Sequence, residues 1–433
     1  VIRRLGIALL FLLGAVSAQA QIGGRSNGNA IPSLATSATA AYRNTNSLFY
    51  FGNLTSGNYN LINLNGSGAL IQPLSQQTFH KFNLWSFAQS INVTYSYWKV
   101  TGSSDALSRL TATWAFIKAT YTLGNMQTCG AVANTVSTAQ DDAAWGASGI
   151  IELYEATGDD VARQYAQAIL DCAWTRWQDS TLGGGLWYDD TRTTKASYQA
   201  QYALATYQYW QDTADATYHT RALSLESWMV NALFRNGQTI TGCSNPAVTS
   251  YPVDGLLWID TQVNGANTYG VSQNCATPNS IALAGSVTLL EGNMAFAVLE
   301  ARLYNETGTL AYLTRMNLTA TGIKTRETVS GNILLDDRDA FDNAFAAYYY
   351  ANEVVPLLTG PAGTQADKTT LVNTANSVVN NDTCQYFSYG GDWQGPCQGV
   401  WYNNQSPNNV NLVEMVSAQG ANLIQAGYYA SLH

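Results

Sequence analysis

The chain has 433 residues, of which 46% are hydrophobic and only 11% charged, and a net charge of −9. That balance describes a globular protein with a polar rather than a charged surface, and it argues against a phosphate backbone, and so nucleic acid, as partner. With three histidines and six cysteines, none in C-x-x-C spacing, no zinc-site pattern is present and neither metal nor cofactor is expected.

The first residues read as a targeting segment. Arg3-Arg4 is a basic start, Leu5 to Val16 an apolar stretch of signal-peptide length, and Ala18-Gln19-Ala20 a small-residue cleavage pattern. The expectation is a signal peptide over 1–20 and one domain over 21–433, secreted and extracellular. No other apolar run is long enough to span a membrane, and no lipid-anchor pattern closes the chain. Secretion permits disulfides. Cys243 and Cys275 flank a long loop and Cys384 and Cys397 a glycine-rich one, which leaves Cys129 and Cys172 by elimination, although spacing alone leaves other pairings open. N-x-S/T acceptors at Asn53, Asn65, Asn92, Asn305, Asn317, Asn381 and Asn404 fit a glycoprotein.

Taken in chain order, a glycine- and asparagine-rich linker precedes a helical segment from Pro32 to Tyr50. Residues 51–70 read as loop. A pattern then recurs: a helix ending in an aromatic residue, a turn at Thr-Gly, and a second helix. The first helices of these pairs cover Gln76–Val100, Gln140–Thr157, Ser197–Trp210, Thr288–Tyr304 and Ala340–Leu358. Their turns fall at Thr101, Thr157, Thr213, Thr307 and Thr359, spaced 56, 56, 94 and 52 residues apart. The second helices cover Asp105–Tyr121, Asp160–Trp177, Ala216–Leu233, Leu310–Ile323 and Gln365–Val379. A last helix covers Asn409–Leu432. A period of this size marks supersecondary units that bury their faces on one another. Twelve helices make six hairpins, enough to close an all-α (α/α)6 barrel; an open solenoid is the alternative, but polar capping repeats are not seen. In a closed ring the inner helices run parallel and start at one mouth, where the long loops gather. That end is where function is expected.

At that mouth lies Gln140-Asp141-Asp142-Ala143-Ala144-Trp145, opening a helix whose Ala147, Ile150, Ile151 and Tyr154 form a buried stripe. Two readings of the carboxylates stand. Asp141 is a cap and Asp142 complements the helix dipole, or the pair is catalytic. Two carboxylates are the minimum for glycoside hydrolysis, one ionised and one protonated, and like charges so close push one toward the acid form. Neighbouring Cα atoms are about 3.8 Å apart, which favours the ~5–5.5 Å carboxyl separation of retaining enzymes. Asp159-Asp160 follows a turn at the opposite end and reads as a cap. Asp189-Asp190 is a mouth loop or a plain turn, and Asp336-Asp337 is the rival pair.

Asp141-Asp142-Ala143-Ala144-Trp145 followed by Leu153-Tyr154-Glu155-Ala156-Thr157-Gly158-Asp159, then Gly183-Gly184-Gly185-Leu186-Trp187 and Asp254-Gly255, resembles glycoside hydrolase family 76, the secreted α-1,6-mannanases. The resemblance covers roughly residues 30–430. It implies the six-hairpin barrel, with Asp141 as nucleophile and Asp142 as acid/base. It implies endo-acting, retaining cleavage of α-1,6 linkages in α-mannan by a monomer, without cofactor. Trp145, Trp187, Tyr188 and Asp254 are candidates for substrate contact, with Trp85 and Glu291 behind them. Departures fall on lining positions: Leu289-Leu290-Glu291-Gly292 replaces a Tyr-Asn-Gln-Gly pattern, and Phe341-Asp342-Asn343 a Phe-Lys-Gly pattern. Fungal relatives that remodel cell walls make a glycan transglycosidase the alternative enzyme, and a non-catalytic glycan-binding barrel is the reading outside enzymes.

Overall fold

A computed structural model of the chain describes residues 33–49, 84–129, 139–236, 253–258, 260–262, 290–329, 332–334, 345–359, 361–381 and 410–433. Helix α1 spans Leu34–Phe49, α2 Leu84–Thr101, α3 Ser104–Thr120, the short α4 Leu123–Met126, α5 Gln140–Thr157, α6 Asp160–Trp177, α7 Gln199–Thr213 and α8 Ala216–Ala232. They are followed by α9 over Leu290–Thr307, α10 over Leu310–Arg326, α11 over Ala347–Tyr349, α12 over Pro361–Asn381 and α13 over Val410–Ala430.

Side-chain bonds order the inner helices. Asn92 of α2 donates to Glu152 of α5 at 2.6 Å, and Gln201 of α7 to Ser148 of α5 at 2.9 Å. Further along, Gln208 donates to Glu155 at 2.7 Å and Tyr207 of α7 to Glu306 of α9 at 2.9 Å. Partner numbers rise together from Ser148–Gln201 to Glu155–Gln208, from Asn92–Glu152 to a further bond of Tyr95 to Glu155, and from the Ser197–Gly292 contact to Tyr207–Glu306, so these helices run parallel. Tyr349 of α11 reaches Glu152 at 2.8 Å. Gln425 of α13 donates to the Val93 carbonyl of α2 at 3.1 Å and accepts from Ser96. The last inner helix therefore touches the first, and the chain is a closed ring rather than an open solenoid. Helices α3, α6, α8, α10 and α12 back their inner partners, and α1 packs behind α13 and α2.

The Thr-Gly repeat has a local cause. In the first four turns the threonine hydroxyl donates to the carbonyl four residues back and accepts the N–H two residues on, as at Thr101: Thr157 to Leu153 at 2.7 Å and from Asp159 at 3.3 Å, Thr213 to Tyr209 at 2.7 Å and from Asp215 at 3.3 Å, Thr307 to Leu303 at 2.8 Å and from Thr309 at 3.2 Å. The residue after it is left-handed, with φ +68° at Gly102 and +67° at Gly158. Asp159 and Asp215 then cap the outer helix by accepting from the N–H two residues on. Ala214 holds the same backbone, φ +58°, with a Cβ. Ala214→Gly is expected to stabilise the fold by about 1 kcal/mol or somewhat less, read from urea midpoints.

The fifth inner helix departs from the continuous Ala340–Leu358 expectation. After α11 the chain widens into a π turn over Tyr350–Val354 and tightens into a 3-10 turn over Val355–Leu357. Pro356 lacks the N–H that would continue the α ladder. Thr359 is also used differently, its N–H and hydroxyl both donating to Asn317. The predicted loops contain short antiparallel strands: β1 (Thr194–Ala196) with β4 (Asp260–Gln262), β2 (Phe234–Asn236) with β3 (Val253–Leu257), and β5 (Thr328–Val329) with β6 (Ile333–Leu334).

Cys129 and Cys172 are joined, as elimination suggested, and the bond ties the segment after α4 to α6. Cys243, Cys275, Cys384 and Cys397 lie outside the described residues, as do residues 1–32. Asn92 corrects one glycosylation expectation: it is fully buried inside the ring and its amide is bonded to Glu152, which leaves no room for a glycan. Asn317 has its amide bonded at both ends, to the Leu313 carbonyl and from Thr359. Asn305 is exposed. Asn53, Asn65 and Asn404 are outside the described residues, as is the side chain of Asn381. No described helix is long and apolar enough to cross a membrane.

Glu152 sits wholly inside the ring. Burial pushes its carboxyl up to about 8, against the opposing bonds from Tyr349 and Asn92. A carboxyl raised in the native state contributes its full stability below about pH 4.5 and loses it as pH rises through about 8. Glu152→Gln is expected to flatten that decline, recovering up to about 4 kcal/mol at pH 8.5, with little change at pH 4.5; unfolding midpoints at the two pH values measure it.

Candidate active site

The start of α5 is held by backbone. Ala139 is the N-cap and makes no side-chain capping bond. The Gln140 N–H donates to the Tyr188 carbonyl at 2.7 Å, Ala139 bridges to Asp189, and the Tyr188 N–H donates to Thr194 at 2.8 Å. The loop from Gly183 to Thr194 is thereby clamped onto the first turn of an inner helix. Asp141 is therefore inside the helix and is not its cap. Its Oδ1 accepts the Asp142 N–H at 2.9 Å and its Oδ2 the Tyr188 hydroxyl at 3.3 Å. Asp141 is buried and Asp142 half-buried. Both lie in the first turn of the helix, where the dipole favours negative charge.

One turn on, Trp145 is fully buried, its ring edge-on to Phe345 at 4.6 Å ahead of α11. Among the described residues its indole N–H has no acceptor, and neither the Gln140 amide nor the Ser197 hydroxyl has a partner. Buried polar groups are nearly always paired, so these three side chains leave hydrogen-bonding capacity unspent at the starts of α5 and α7. Tyr188 lies over Tyr198 at 5.6 Å. Asp141, Asp142, Trp145 and Tyr188 are thus brought together.

Trp187 is adjacent in sequence but turned away. It is buried, its indole N–H donates to Asp179 at 2.5 Å, and the Lys195 ammonium lies 4.6 Å from its ring. Lys195 also donates to Asp179 at 3.0 Å, the Thr181 carbonyl at 2.7 Å and the Gly184 carbonyl at 2.6 Å. Burial works to raise the Asp179 carboxyl, but the Trp187, Lys195 and Thr181 donors outweigh it and hold it at about 2. This knot fixes the glycine loop. At Gly185, φ +78°, a Cβ would lie 2.7 Å from Trp228. Composition gives no sign of the Lys195–Asp179 pair; a lysine just ahead of an inner helix is its only trace.

Asp254 is placed in a different bond. It is buried and accepts from Arg235 at 2.7 Å, with the Arg235 guanidinium 4.3 Å from the Trp258 ring. Its strand β3 lies so close on α10 that a Cβ at Gly322 would come within 2.2 Å of the Asp254 carbonyl. Glu291 is buried in the first turn of α9, next to Gly292, which abuts Ser197. Trp85 is in the first turn of α2, but its side chain lies outside the described residues. Of the other acid pairs, Asp159 is a cap, Asp189 closes a turn onto Thr191, and Asp190 is bonded to Arg176 and Trp177. Asp336-Asp337 lies outside the described residues.

No protein-family model matches the chain, and no curated protein matches its sequence. Solved structures do. The GH76A α-1,6-mannanase of Salegentibacter sp. HEL1_6 superposes with a TM-score of 0.64 at 13% identity, over 92% of this chain and 99% of its own. An inactive variant of that enzyme, with two adjacent aspartates replaced and α-1,6-mannotetrose bound, superposes with a TM-score of 0.67 at 14% identity, over 93% and 100%. Dfg5 from Chaetomium thermophilum, in complex with glucosamine, gives 0.56 at 14% identity over 90% of each chain. The chain thus has the (α/α)6 barrel fold of the family 76 α-1,6-mannanases across almost its whole length.

Proposed function

We propose that the protein is a secreted, monomeric glycoside hydrolase that cleaves α-1,6-mannosidic linkages within α-mannan with retention of configuration. The observation that carries this reading is the placement of Asp141 and Asp142 side by side in the first turn of an inner helix, where Tyr188 and the Asp142 N–H hold one of them. The mannanase of the same fold is inactive when two adjacent aspartates are replaced, which supports the same use here.

In the first step the Asp141 carboxylate attacks C1, the C1–O6 bond breaks, and Asp142 gives its proton to the departing oxygen. In the second, water attacks C1, Asp142 takes its proton, and Asp141 leaves as carboxylate. The half-buried Asp142 suits the proton carrier that must meet both leaving group and water. The unspent polar groups around Trp145 and Ser197 supply donors and an acceptor for sugar hydroxyls. Tyr188 steadies the nucleophile by donating to it. Tyr188→Phe is expected to lower kcat/KM about tenfold, the value of one hydrogen bond to a charged group, in initial-rate measurements.

The Dfg5 likeness keeps a second reading in view, in which the glycosyl group on Asp141 passes to a sugar hydroxyl instead of water. Incubation with yeast α-mannan, intact and debranched, followed by sizing of the products, separates the readings. Shorter oligosaccharides from the debranched polymer are expected. Longer products would assign a transglycosidase, and binding without any change in size would leave a non-catalytic barrel.

A further inference from the structure

At the opposite end of the ring, where the inner helices finish, an open cleft of about 670 Å³ lies between the ends of α7 and α9 and the π turn. Trp210, Gln211, Arg302, Asn305, Glu306 and Glu353 line it. Gln208 of α7 bonds Glu155 near the end of α5, so the cleft is level with the far end of that helix. Asp141 lies near the start of that helix, which ends at Thr157, so roughly 24 Å separates the two along the axis.

The wall is built around one buried cation. Arg302 is 8% exposed and donates through Nε and Nη2 to Glu353 at 2.7 and 2.8 Å. Its Nη1 is buried and has no hydrogen-bond partner among the described residues. An arginine offers five donors in a fixed fork, and one left unpaired inside a cleft wall wants an oxygen. Acceptors are present too: the Glu306 carboxylate already holds Tyr207 at 2.9 Å and His219 at 3.1 Å. The amides of Gln211 and Asn305 are exposed on the rim. The half-buried Trp210 indole is stiffened by His219, stacked 4.1 Å away, and by Tyr207 at 5.0 Å.

A fixed indole beside carboxylates, amides and an arginine donor matches a neutral polyhydroxylated ligand. The two carboxylates and the helix C-termini repel anions, and the Arg302 guanidinium buried in the wall disfavours cations. We propose that this cleft is a second saccharide-binding site, separate from the mouth, that takes one or two units of a neutral sugar chain. The sugar has two sources. One is a free mannan chain, whose capture at a remote point would add avidity on a polymer. The other is a glycan carried by the Asn305-Glu306-Thr307 acceptor on the rim itself. The site does not depend on the hydrolase reading, which enters only in the choice of probe.

The test follows the 15N-labelled indole signal of Trp210, assigned by its loss in Trp210→Phe. Protein from a host that does not N-glycosylate, carrying Asp141→Asn to prevent turnover, is titrated with α-1,6-mannotetraose and with N,N′-diacetylchitobiose. A saturable shift of the Trp210 signal, weakened at least tenfold by Gln211→Ala with Glu306→Gln, assigns a site for free sugar. Protein secreted from a glycosylating host supplies the other arm. There, a displaced Trp210 signal restored by Asn305→Gln assigns the cleft to the attached glycan. A Trp210 signal unmoved in both arms overturns the proposal, and so does a shift indifferent to the double substitution. Signals from tryptophans near the mouth report sugar binding there independently, so failure at one end is distinguished from failure at the other.

Discussion

Asp141→Asn and Asp142→Asn are each expected to reduce turnover of α-1,6-linked mannan at least a thousandfold, about 4 kcal/mol of transition-state stabilisation, with unfolding midpoints little changed. The fold is insulated from these changes. The N-cap of α5 is Ala139, and the loop is clamped to it through main-chain bonds of Gln140 and Tyr188 that neither carboxylate makes. Replacing Asp141 by the amide of the same shape keeps one acceptor, for the Asp142 N–H, and puts an NH2 that can donate to the Tyr188 oxygen where the second carboxylate oxygen was. The two substitutions remove the nucleophile in one case and the proton carrier in the other. The two variants separate on an aryl α-mannoside whose phenol leaves without a proton. Asp142→Asn regains part of its rate in the first step, and Asp141→Asn does not. Near-normal hydrolysis of mannan by either variant would remove that residue from the chemistry.

Asp254→Asn is expected to cost about 3–5 kcal/mol of stability, because it leaves the buried Arg235 charge without its partner. The bond is short, Arg235 is fully enclosed, and Asp254 is nearly so. Burial raises the Asp254 carboxyl, against the pull of Arg235. The native state thus carries a desolvated pair whose halves need each other. Urea unfolding measures the loss, and kcat/KM per folded molecule is expected to stay within about twofold. A variant of normal stability with a raised KM would return Asp254 to the sugar-binding residues named from the sequence.

The parts of this architecture that were legible in the sequence are those with local causes. The Thr-Gly turns announce themselves because one hydroxyl closes each of the first four inner helices and the next aspartate, serine or threonine opens the outer one. The count of hairpins then implied a ring, and the Gln425 bonds to Val93 and Ser96 close it. The adjacency of Asp141 and Asp142 was equally visible. What sequence reading missed depends on distant partners. An Asn-Val-Thr tripeptide carries no sign that Asn92 faces Glu152 across the ring. Trp187 and Asp254 sit in motifs that suggested substrate contact, and nothing in those motifs signals the protein partners they hold, Asp179 with Lys195 and Arg235, 8 to 19 residues away. The π turn over Tyr350–Val354 ahead of Pro356 is a local change of winding that periodicity alone does not encode.

The most direct test is time-resolved proton NMR of α-1,6-mannotetraose during digestion. If Asp141 forms a glycosyl bond that water then breaks, α-configured reducing ends appear first and equilibrate slowly with the β form. β-configured ends appearing first would contradict a covalent intermediate on Asp141, and an unchanged tetrasaccharide would contradict mannanase chemistry at the mouth of the ring.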